Sequence, residues 1–139
     1  RESYVLVTHE KKERREGEKV LMKMLDPAHE VYHIFSQDFN RWHNYWIHPG
    51  NEKARVNLAH VAIDFLTDEK DWTILPESVA QTLIEERRGN DDLHMYALAP
   101  DVPERVAIAV TNRNAGQETA RLTDEVIRLL KLWLAGEDV

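Results

Sequence analysis

One stripe of apolar side chains limits the architectures open to this chain. Val31, Phe35, Phe39, Trp42 and Trp46 follow one another at steps of four and three. That spacing puts them on a single face of an α-helix. Asp26 offers an N-cap, Pro27 suits a first helical position, and Pro49–Gly50 forbids continuation. The pattern predicts a helix from about 27 to 47 lying across the core, with both Trp side chains packed inward.

The remaining periodicities predict more helices than strands. "YVLVT" at 4–8 reads as a strand. Residues 9–25 read as a helix weakened by Gly17, and a helix follows Asn51 with Val56, Ala59, Ile63 and Leu66 on one face. A strand over 61–66 is the alternative there. A helix opened by Pro76 covers 76–88. "LHMYAL" at 93–98 and "RVAIAVT" at 105–111 flank a Pro-rich turn and read as a hairpin. Leu122, Val126, Leu129, Leu130 and Trp133 give the last helix, about 117–135, with Gly136 as its stop. The fold class expected is helix-dominated α+β: four to five helices with a small antiparallel sheet from 4–8, 93–98 and 105–111. An all-α arrangement is the runner-up.

The 139 residues are read as a single globular domain, 1–139. The first residue is Arg1 rather than Met, which allows a longer parent protein. There is no Cys, which removes disulfides and thiolate metal sites. No apolar run is long enough to span a bilayer, so no membrane association is expected. The compartment is left open by the sequence, with a soluble, cytoplasmic location the one favoured. The formal net charge is −7, which disfavours generic binding to nucleic acid; the one dense charged run, at 10–19, mixes both signs.

His29, Glu30 and His33 form an H-E-x-x-H pattern. On a helix, residues four apart share a face, so two imidazoles can meet one zinc ion while the intervening Glu takes a proton from its bound water. Glu52 follows His33 after eighteen residues, and H-E-x-x-H-x18-E resembles the gluzincin class of metallopeptidases. That resemblance covers about 30 residues. It implies His29, His33 and Glu52 as zinc ligands and Glu30 as the catalytic base. Two features depart from the family's pattern: Pro27 places His29 in a first helical turn, and only one strand precedes the motif. Arg55 and His60 similarly resemble the R-x4-H spacing of HEPN-type ribonucleases, a short pattern that the acidic balance opposes.

The favoured function is a non-catalytic acidic domain, regulatory in role, acting through protein–protein contacts and needing no cofactor. Zinc would be the cofactor if the hydrolase alternative held. Trp, Tyr and Arg anchor interfaces, and Arg41, Trp42, Tyr45, Trp46 and His48 concentrate them in one short segment. By the helical wheel, Tyr45 lies at the edge of the apolar stripe, where an exposed patch with His48 can begin.

Overall fold

The computed structural model describes residues 1–15, 17–87 and 92–136. The chain divides into two compact units, Arg1–Val106 and Ala107–Val139. Four α-helices and several short strands appear among the described residues, so the fold is α+β and not all-α. No described helix is long and apolar enough to cross a membrane.

The first unit is built around strand β1, Tyr4–Thr8, whose five residues are all buried. It is the middle strand of an antiparallel sheet, between β5 (Trp72–Pro76) and β6 (His94–Tyr96). Successive side chains of a strand point to opposite faces. Tyr4 and Leu6 therefore join Tyr32, Phe39, Trp72 and Ile74 in one apolar cluster, while Val5 and Val7 join Val31, Ile63, Leu75 and Ala80 in another. A strand covered on both faces must be apolar at every position, and "YVLV" meets that requirement.

Two small parallel pairs complete the sheet structure. Val20–Leu21 (β2) pairs with Leu98–Ala99 (β7), and Val31–His33 (β3) pairs with Ala54–Val56 (β4). Helices α1 (Gln37–Trp46), α2 (Ala59–Asp64) and α3 (Glu77–Glu86) fill the intervals. Helix α3 begins directly after Pro76, as the proline predicts.

Several expectations are corrected. The helix expected over 27–47 exists only from Gln37, capped by Ser36, whose hydroxyl accepts the Phe39 N–H at 3.1 Å. Upstream, Asp26 does cap, but it caps a single 3-10 turn, Pro27–His29, that leads into β3. Val31 lies in the core on a strand, and the Thr73 hydroxyl donates to its carbonyl at 2.7 Å. β-Branched and aromatic residues suit a pleated buried strand as well as a helix stripe, and the neighbouring β4 and β5 decide between them.

The helix expected over 9–25 is absent. The described part of this segment forms β2 and a 3-10 turn, Met22–Met24, and Gly17 takes a φ of +79°. The helix after Asn51 is shortened to α2, with β4 occupying its first part. The third strand of the sheet is β5 rather than 105–111. Arg105 exchanges two backbone hydrogen bonds with Glu2, at 2.8 and 2.9 Å, but 106–111 forms no strand.

In the second unit, α4 runs from Gln117 to Leu134, and Gly136 follows with a φ of +74°. That left-handed conformation is the helix stop its glycine predicts. None of the residues of α4 is buried.

Candidate functional site

The H-E-x-x-H segment lies on the 3-10 turn and β3, so helical spacing does not govern where its side chains go. His29 Nδ1 stands 2.9 Å from Asp71 Oδ1. Asp71 is fully buried and also receives the Lys53 ammonium, with backbone N–H groups of Thr67 and Asp68 at 3.1 and 2.9 Å. Burial would raise the Asp71 pKa, but the hydrogen bonds from Lys53, Asp68 N–H and His29 outweigh it and hold the carboxyl below its ordinary value. The stability these bonds contribute is present above the unfolded carboxylate pKa. It is lost as pH falls through the lower folded value.

Asp71→Asn is expected to cost about 2–3 kcal/mol, the scale of losing a hydrogen bond to a charged group. The variant should also lose stability less steeply than the parent on acidification. Denaturant unfolding at pH 7 and pH 3 checks both. Equal acid sensitivity in variant and parent would remove Asp71 from the account.

Glu30 is separated from His29 and faces the opposite partner. Both carboxylate oxygens meet His43 Nε2, at 2.7 and 2.8 Å, and each residue is only 1% exposed. His43 Nδ1 in turn meets Asn44 Oδ1 at 3.1 Å. Burial pushes the Glu30 pKa up, opposed by the hydrogen bond and charge of His43. The His43 ring stacks on Tyr32 at 3.8 Å and 12°. The Tyr32 hydroxyl donates to Asn40 Oδ1, and burial, then the Glu30 charge, push its pKa up to about 12.

His33 is buried and stacks on Phe35 at 4.0 Å, and its Nδ1 has no hydrogen-bond partner among the described residues. Burial lowers its pKa against opposing backbone groups of Asn57 and His33, which favours the neutral ring. Glu52 accepts from Gly50 N–H at 2.8 Å and from Arg55 Nε and Nη2 at 2.9 and 2.6 Å. Burial raises its pKa, but its own backbone group, Arg55 and Gly50 together bring it below the ordinary value. Glu52 thus organises the loop into β4.

His29, His33 and Glu52 consequently have three separate sets of neighbours. Among the described residues, the one group of His, Asp and Glu close enough to share an ion is His29, Asp68 and Asp71. Its central carboxylate already holds Lys53, which offsets one of the two carboxylate charges. Glu30, read as a catalytic base, has its carboxylate engaged by His43. Arg55 sits on β4 and His60 on α2, with the Arg55 guanidinium spent on Glu52, so R-x4-H does not lie along one helix.

The aromatic segment divides by depth. Phe39 is buried, Trp42 and Trp46 are half-buried against the first cluster, and Tyr45 is 80% exposed with its ring edge-on to Trp46. Arg41 and His48 are exposed. Asp71, Lys53 and His43 are absent from the candidate residues read from the sequence, and no local pattern marks Asp71 or His43 as buried.

Among the described residues, the densest apolar exposure lies in the second unit. Ile108, Val110, Leu122, Val126, Leu130, Trp133 and Leu134 are each at least half exposed. A groove of about 390 Å³ runs between 109–111 and the face of α4 carrying Leu122, Val126 and Leu130. No protein-family model matches the chain, and neither a curated protein nor a solved structure matches it.

Proposed function

We propose that the chain is a non-catalytic protein-binding module whose docking surface is the apolar face of 107–134. The observation that supports it is the combination of an amphipathic α4 with complete absence of buried residues along that helix. An 18-residue helix with an apolar stripe gains most of its stability from covering that stripe. Seven large apolar side chains left uncovered in one short unit exceed the scattered singles of an ordinary surface and favour a partner. Tyr45, with Arg41 and His48, supplies a second, smaller surface of interface-type residues. The network around Asp71 and the Glu30–His43 pair read as structural, since the buried Asp71 and Glu30 each already meet a basic side chain.

The test is a Leu122→Ser/Leu130→Ser variant, heated in dilute solution. Both side chains are more than half exposed, so the melting temperature should stay within the range of surface substitutions, about 0.5 kcal/mol each. Binding of a hydrophobic dye should fall. A drop of several degrees in dilute solution would make this face part of the chain's own core and would end the docking reading.

A further inference from the structure

We infer that the occupant of this face is α4 of a second copy of the chain, lying antiparallel to the first. The inference rests on the docking reading above and adds an identity for the partner.

Thr119, Leu122, Val126, Leu129 and Trp133 recur at alternating steps of three and four along α4. That is the a/d spacing by which two helices interlock along a seam. Charge then selects the direction. The first half of the helix, 117–125, carries Glu118, Asp124 and Glu125 against Arg121 alone; the second half, 126–134, carries Arg128 and Lys131 and no acid. Each helix is therefore net −2 in its first half and net +2 in its second. A parallel pair sets like halves together, and an antiparallel pair sets each acidic half beside a basic one. The helix dipoles favour the same direction. An antiparallel pair is also two-fold symmetric, so a single patch serves both copies and the assembly closes at two. A register that places Val126 against Leu129 of the second copy brings Leu122 opposite Trp133 of that copy.

The absence of Cys allows a direct test by introduced thiols. Chains carrying Leu122→Cys and Trp133→Cys are mixed and oxidised, with Tyr45→Cys chains as an exposed reference. Cross-links between 122 and 133 should outnumber those between two 122 positions. Sedimentation of the parent at roughly 100 µM should show a dimer, and Val126→Glu should weaken it by at least about tenfold, since a carboxylate would be buried in the seam. A parent that stays monomeric at that concentration, or preferential linking of 122 to 122, overturns the antiparallel pair. The dilute-solution melting of the Leu122→Ser/Leu130→Ser variant separates the two claims. An unchanged melting temperature with a monomeric parent leaves the docking surface standing with a different occupant, whereas a large drop removes both.

Discussion

Glu30→Ala is expected to lower stability by about 3–5 kcal/mol, because it removes one member of a buried polar pair and leaves the other without its partner. His43 lies within 2.8 Å of both Glu30 oxygens, and neither residue reaches solvent. With Glu30 gone, His43 keeps its stacking on Tyr32 but loses the carboxylate that its Nε2 meets. The pair itself is a different matter. Desolvating two charges offsets most of their attraction, so replacing both with apolar residues of similar volume is often neutral. The double substitution Glu30→Met/His43→Leu should therefore recover most of what Glu30→Ala loses. Urea unfolding of the parent and the two variants measures the difference. If Glu30→Ala unfolds within 1 kcal/mol of the parent, the buried Glu30–His43 contact does not carry the stability assigned to it. The same measurement bears on the zinc-hydrolase expectation, in which Glu30 would be dispensable for folding.

Phe39→Ala carries the second large effect, again about 3–5 kcal/mol, from lost apolar transfer and a cavity that its neighbours cannot close. Phe39 is 1% exposed. Its ring stacks on Tyr4 at 4.9 Å, meets Phe35 edge-on at 6.2 Å, and lies 6.0 Å from Trp42. It thereby joins α1 to β1, the central strand. Tyr45 lies six residues further along the same helix and is 80% exposed, so Tyr45→Ala should cost less than about 0.5 kcal/mol. Thermal unfolding of the two variants side by side provides the contrast. Similar losses at 39 and 45 would mean that the helix is not oriented as described.

The two aromatic positions also show how far periodicity reaches. The stripe identified Phe39, Trp42 and Trp46 as the inward face, and the wheel placed Tyr45 at its edge. Both hold, because they depend only on the geometry of one helix. The same stripe extended to Val31 and Phe35 was misread, since 31–33 is a strand. A buried apolar residue leaves the same mark in the sequence whichever backbone carries it.

Residues 4–8, 77–86 and 117–134 were legible locally. Their patterns are continuous and their ends carry proline, glycine or a clear polar break. The partnership of β1 with 72–76 was not legible. "WTILP" lacks a polar alternation, and its pairing with "YVLVT" joins segments more than sixty residues apart. The run 105–111 shows the converse. Its composition suits a buried strand, yet beyond Arg105 no strand forms there.

For the candidate site, sequence order was a poor guide to proximity. His29, Glu30 and His33 are close in sequence, but a turn followed by a strand sends them to Asp71, to His43 and to Phe35. By itself the amino-acid sequence determined the α+β class, the amphipathic last helix and the net negative charge, all of which follow from composition and short-range periodicity. Only the tertiary structure decided which charges were buried together and which apolar face was left open. The reason is that pairing and burial depend on which distant segments meet, and side-chain spacing along one segment carries no record of that.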